Sequence, residues 1–92
     1  MIIEFDPVKN ARNIIERGLS FERVADFDWS SAIATEDVRQ DYPERRFVAA
    51  GFLNDRLHIL CFTPISGGVR VISFRKANLR EARKYGKTIT VD

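Results

Sequence analysis

Three arginines, Arg46, Arg70 and Arg75, sit in or beside segments that read as strands, and four further cations, Lys76, Arg80, Arg83 and Lys84, follow the last of them. A guanidinium presents its N–H donors in a planar fork that matches two phosphate oxygens, so arginines gathered on a sheet can clamp a phosphate. Residues 70 to 92 hold seven Lys/Arg and two Asp/Glu, whereas residues 1 to 69 hold eight and eleven. The formal net charge of +2 thus hides a positive C-terminal surface on a slightly acidic body, which suits an anionic partner. For any one arginine, an ordinary ion pair with Glu44, Asp37 or Glu81 is the simpler reading. For the cluster together with the basic segment, phosphate binding is the better one. Strict alternation gives Arg70 and Arg75 opposite parity, so they point to opposite faces unless a bulge intervenes.

Other chemistry finds less support. Glu36, Asp37, Asp41 and Glu44 match no EF-hand or two-metal spacing and read as solvated loop charge, so no metal and no cofactor is expected. His58 is the only histidine, which forces no Ser-His-Asp or Cys-His pairing and favours a structural role. The single Cys61 has no disulfide or CxxC partner and reads as a small core residue in a reducing compartment. Gly67-Gly68 is a turn rather than a phosphate loop. The N-terminus lacks a basic n-region, and no stretch approaches the ~20 apolar residues of a spanning helix. A cytoplasmic protein without a membrane partner is expected.

The elements that must position these residues follow from period and punctuation. Val69, Val71, Ser73 and Arg75 alternate with Arg70, Ile72, Phe74 and Lys76 as a strand does. Asn78 and Glu81 then form a capping box, opening a helix with Arg80, Arg83, Lys84 and Lys87 on one face and Leu79, Ala82 and Tyr85 opposite. Upstream, residues 2–5 form an edge strand or a plug for the core. Asp6-Pro7 starts a helix with an apolar stripe of Val8, Ala11, Ile14 and Ile15, closed by Gly18. Ser20 caps a second short helix with Phe21, Val24 and Ala25 as its buried face. A brief strand over 32–35, a loop over 36–44, and strands over 46–53 and 57–63 follow, with turns at Asn54-Asp55 and over 64–68. The tail from Thr88 either pairs with an edge or stays unpaired. Ninety-two residues make a single domain, 1–92. The expected class is α+β: two N-terminal helices, an antiparallel three- to four-stranded sheet and a C-terminal basic helix. All helices cover one sheet face and leave the other charged and free to bind.

The chain also resembles a known family. FDPVKN is similar to the Trp-Asp-Pro start, followed by Lys and Asn, of the BrnT-type toxins, small RelE-like ribonucleases of bacterial toxin–antitoxin pairs; Asp6, Lys9 and Asn13 fit it. RGLSFERVADF resembles the family's His-Gly-x-Ser-Phe-x-x-Ala segment, and ERRFVAAG its Glu-x-Arg-Phe strand with a following Gly, matched by Glu44, Arg46 and Gly51. Most specific is RVISFRKANLREARKY, where Arg70, Ser73, Arg75, Lys76, Ala77, Glu81, Arg83 and Tyr85 fit the family's strand and Glu-Arg-rich helix. The chain departs from the pattern with Arg17 for the usual His, Glu16 for Lys and Phe5 for Trp. The resemblance implies an RNase toxin held in a hetero-oligomer by a DNA-binding, BrnA-like antitoxin.

On that implied activity the expectation is a metal-independent endoribonuclease that uses the substrate's own 2′-OH as nucleophile. Arg46, Arg70 and Arg75 would stabilise charge, Lys9 would assist, and Glu44 or Tyr85 would shuttle protons. Lys76, Arg80, Arg83 and Lys84 would hold the RNA backbone. Two alternatives stand beside it: a non-catalytic basic binding module that docks on an acidic protein or nucleic acid, and a structural subunit with solvated charges.

Overall fold

A computed structural model describes residues 1–91. Five strands form one mixed sheet: β1 (Ile2–Glu4), β2 (Ile33–Asp37), β3 (Arg46–Leu53), β4 (Arg56–Ile65) and β5 (Gly68–Lys76), in the order β1-β5-β4-β3-β2. Three pairings are antiparallel, as tight turns require, but β1 runs parallel to β5. The sheet is therefore wider than expected and not purely antiparallel. The helix α1 (Pro7–Arg17) and a 3₁₀ helix (Phe21–Asp26) lie between β1 and β2, and they carry the chain across before β2 begins. A six-residue helix α2 (Leu79–Lys84) follows β5.

The β3–β4 hairpin matches its sequence closely. Asn54 and Asp55 both take positive φ, 48° and 64°, the geometry of a type I′ turn whose twist suits the flanking strands. The β4–β5 turn is shorter than the sequence suggests: Pro64 and Ile65 remain paired with Val69 and Gly68, leaving Ser66-Gly67 to reverse the chain. Likewise the 36–44 segment is not all loop, because Glu36 and Asp37 end β2.

The helices do not share a face, contrary to expectation. On one face the 3₁₀ helix seats Phe21, Val24 and Phe27 against Ala49, Leu53, Leu60, Phe62, Val69, Val71 and Phe74. That core is largely aromatic, with edge-to-face contacts between Phe27 and Trp29 (5.0 Å) and between Trp29 and Phe62 (5.2 Å). Ala25 is exposed, because a 3₁₀ helix repeats every three residues and brings 21, 24 and 27 into line. On the opposite face α2 lays Ala82 over Ala50, Leu57, Ile59 and Ala77. The chain turns sharply at Ala77, whose N–H donates to the Leu57 carbonyl (3.0 Å), and so folds α2 onto the far side. Leu79 stays exposed, and Lys87 lies beyond the helix, with Nζ donating to the Ser31 carbonyl (2.6 Å). The tail pairs with the start of β4 through Leu57 N–H to the Ile89 carbonyl (2.7 Å) and Val91 N–H to that of Asp55 (2.8 Å); Asp92 lies outside the described residues.

α1 inverts its expected orientation. Its caps are those read from the sequence: Asp6 Oδ1 accepts from Val8 N–H (2.9 Å), and Gly18 adopts φ 65°. Yet its apolar stripe faces outward, with Val8 67% and Ile15 84% exposed. The inner face is polar and is held by directional bonds. Asn13 Nδ2 donates to the carbonyls of Leu19 (2.9 Å) and Phe74 (3.0 Å), and Asn10 Oδ1 accepts from Phe21 N–H (2.8 Å). Satisfied amides in a buried, low-dielectric contact fix an orientation more specifically than packing alone.

Candidate active site on the sheet face beneath α2

Arg70 and Arg75 lie on the same face. β4 pairs Cys61 with Ser73 and then Phe62 with Val71, so Ile72 is an extra, unpaired residue in β5. The bulge resets the alternation. Thr63 pairs with Arg70, Cys61 with Ser73 and Ile59 with Arg75, and residues 59, 61 and 63 of β4 share one side. Arg46 joins them from β3, since its neighbour Phe47 opposes Phe62. The alternation rule alone would have sent Arg70 into the aromatic core.

Two recesses follow along this face. The first, of about 210 Å³, is lined by Lys9, Glu44, Arg46, Thr63 and Arg70, among others. Four of the six expected catalytic residues, contributed by α1, the loop before β3, β3 itself and β5, thus converge there. Arg70 is firmly held: Nη1 donates to both Glu44 carboxylate oxygens (2.7 and 2.6 Å), while Nε and Nη2 donate to Glu4 Oε1 (3.2 and 3.1 Å). These bonds, Glu4 first, push the Arg70 guanidinium further above its ordinary value. Arg46 has no carboxylate partner among the described residues and stacks on the Tyr42 ring, 4.3 Å from its centroid. Lys9 is likewise without an ion pair among them.

The second recess is a groove of about 430 Å³ under α2, where Arg75, Lys84 and Tyr85 face Thr35, Asp37, Arg39, Val48, Cys61 and Ser73. Arg75 forms a bidentate pair with Glu81, Nη1 to Oε1 at 2.9 Å and Nη2 to Oε2 at 2.7 Å. Glu81 also accepts from Asn78 N–H (3.0 Å) as half of the capping box, so the cap that starts α2 also aims Arg75. The hydrogen bond from Arg75 pulls the Glu81 carboxyl down to about 2, so Glu81 stays ionised across the physiological range. Arg70 and Arg75 pair with β4 residues four positions apart, about 14 Å along a strand at ~3.4 Å per residue. Each, tied to its own carboxylate, holds a different point on that face.

Other expected residues scatter. Arg80 and Arg83 are exposed on α2 and make no ion pair among the described residues. Lys76 belongs to the opposite face, in register with His58. Cys61 is half-buried in the groove rather than fully in a core, and burial pushes its thiol up, away from the thiolate.

The sequence reading missed the Asp37–Arg39 pair on the groove's rim. Arg39 Nε and Nη2 donate to Asp37 (both 2.8 Å), as does the Tyr42 hydroxyl (3.1 Å). These bonds, Arg39 first, hold the Asp37 carboxyl far below the usual range. The available signal was Asp-x-Arg spacing, which allows the local turn closed by Arg39 N–H on Asp37 Oδ1 (3.2 Å).

Comparison with known proteins bears on this arrangement. A family model described as the ribonuclease toxin BrnT of type II toxin–antitoxin systems matches residues 5–81. No curated protein matches the chain. The matched span begins just after β1 and runs through α1, which supplies Lys9, and strands β2 to β5 to the Glu81 that holds Arg75. This chain therefore belongs to the BrnT family of ribonuclease toxins.

Proposed function

We propose that this toxin is a metal-independent endoribonuclease that cleaves RNA through attack of the 2′-OH on the adjacent phosphorus. The observation that carries the reading is the Ile72 bulge, which gathers Arg46, Arg70, Ser73 and Arg75 on one face. RNA lies along that face, its backbone held by Lys9, Arg46 and Arg70 in the smaller recess, by Lys84 on the groove wall, and by Arg80 and Arg83 of α2 beyond it. Chemistry takes place in the groove. There Arg75 stabilises the charge that develops on the phosphorane oxygens, and Tyr85, on the same wall, exchanges a proton with the reacting oxygens. Glu44, locked onto Arg70 in the other recess, positions rather than shuttles. The carboxylates around the site are engaged by guanidinium groups, with no three His, Cys, Asp or Glu side chains clustered for a cation among the described residues. The purified protein is expected to cut single-stranded RNA in EDTA and to leave 2′,3′-cyclic phosphate and 5′-OH ends. A requirement for added metal, or 5′-phosphate products, would defeat this mechanism.

One observation favours the binding-module reading: both Arg70 and Arg75 already have carboxylate partners. RNA binding without cleavage would select it.

We further propose a BrnA-like, DNA-binding antitoxin as partner in the cytoplasm. Among the described residues no helix is long and apolar enough to cross a membrane. An acidic antitoxin segment over Arg80, Arg83 and Lys84 would orient the encounter, and the outward apolar stripe of α1 offers it hydrophobic area. Purification from cells that co-express the neighbouring reading frame is expected to yield a stable complex by mass measurement. Recovery of the toxin alone would count against this partner.

A further inference from the structure

The departure of Arg17 from the family pattern acquires a setting in the fold. α1 ends beside the ends of β4 and β5, and the three elements border an open cavity of about 440 Å³ lined by Arg17, Gly18, Leu19, His58, Arg75 and Lys76. Its lining holds three cations and no carboxylate. Arg17 and Lys76 make no ion pair among the described residues. Arg75 also lines the groove under α2, so the two recesses adjoin at this residue of β5.

His58 completes the set. Its Nδ1 lies 2.8 Å from the Arg56 carbonyl. A carbonyl only accepts, so Nδ1 carries the proton and Nε2 keeps the lone pair. Nε2 makes no hydrogen bond within the described residues. It is also not sealed from solvent, since the one buried, unpartnered side-chain polar atom among them is Trp29 Nε1. Burial is the first cause holding the imidazole below its ordinary value, and the cations Arg56, Lys76 and Arg23 add to it. The ring is thus held toward its neutral form among Arg17 on α1, Arg56 on β4 and Lys76 on β5, with Arg23 of the 3₁₀ helix and Arg75 of β5 each already paired, to Asp26 and Glu81. An anion placed here would meet two unpaired cations and an imidazole able to take up a proton and donate from Nε2.

We propose that the cavity lined by Arg17, His58 and Lys76 is a second phosphate-binding subsite, which holds the RNA backbone at a nucleotide beyond the Arg75 groove. The choice of RNA as ligand rests on the ribonuclease reading above; the anion site itself does not. Arg17 supplies a fork for two phosphate oxygens and Lys76 a point charge. Because the bound anion favours the imidazolium, binding takes up a proton, and affinity rises as the pH falls through the titration of His58.

His58 is the only histidine, so its ring gives one unambiguous NMR signal. The full chain is titrated with inorganic phosphate and, separately, with a short oligodeoxythymidylate, which lacks the 2′-OH and cannot be cut. Both are expected to move the His58 ring signal saturably and to raise its titration midpoint. The oligonucleotide should displace phosphate and show the steeper salt dependence. Arg17→Gln combined with Lys76→Gln should weaken both responses about tenfold, while an unchanged melting profile reports an intact fold. Absence of a saturable shift with either probe, or shifts that survive the double substitution, would overturn the subsite. A response to phosphate but not to the oligonucleotide would overturn its assignment to nucleic acid. None of these readouts depends on cleavage, so failure of the catalytic reading is separately visible.

Discussion

Arg75→Ala is expected to lower the RNA cleavage rate at saturating substrate by about a hundredfold or more, roughly 2.7 kcal/mol of transition-state stabilisation. The expectation follows from how Arg75 is held. It pairs with Ile59 on the central strand β4 and is clamped through both terminal nitrogens by Glu81, itself fixed by the capping box of α2. A donor fixed before the substrate arrives needs no reorganisation as charge develops, which is where such a group acts. Exposed cations behave differently. Arg80→Ala with Lys84→Ala removes long-range attraction to the backbone, so binding should weaken and its salt dependence flatten, with the saturated rate nearly unchanged. Single-turnover cleavage at several salt concentrations separates the two classes, with a thermal melt to show that Arg75→Ala folds. If that variant folds and keeps the full rate, the chemistry belongs to the Lys9, Glu44, Arg46 and Arg70 recess on the same face.

Gly68→Ala should destabilise the protein by about 3 kcal/mol, a fall in melting temperature of roughly 15 °C for a domain of this size. A Cβ at Gly68 would collide with the backbone carbonyl of Ile2, and backbone, unlike a flexible side-chain end, cannot step aside. β1 would have to leave the sheet, and with it Ile3, which packs on the aromatic core, and Glu4, which holds Arg70. The substitution therefore links stability to the site. Hydrogen exchange should show lost protection along β1 while the β3–β4 hairpin stays protected. Wild-type stability with β1 still protected would show that the parallel pairing is not made as described.

Much of this molecule is local in origin and was legible as such. The β3–β4 hairpin depends on a two-residue turn that admits positive φ and on alternating apolar residues. The caps at Asp6, Ser20 and Asn78 depend on side chains reaching backbone N–H groups two or three residues on. The excess of C-terminal cations and the family motifs are properties of composition and order, so the sequence alone indicated an anionic substrate and a ribonuclease toxin.

What the chain could not state locally depended on pairing between distant segments. The sequence of β5 alternates without interruption, and its bulge exists only because β4 sets the register on both sides of Ile72. That single unpaired residue decides that Arg70 and Arg75 share a face. α1 shows an apolar stripe by periodicity, but its orientation is fixed by Asn10 and Asn13 bonding to Phe21 and Leu19 beyond the helix end and, across 61 positions, to Phe74 on β5. Arg17 and His58 lie 41 positions apart by their numbers and meet in one cavity because α1 ends over the β4–β5 ladder. Short-range hydrogen bonding and turn chemistry are written in neighbouring residues. Which face a side chain occupies is set by register, and register is a property of the assembled sheet.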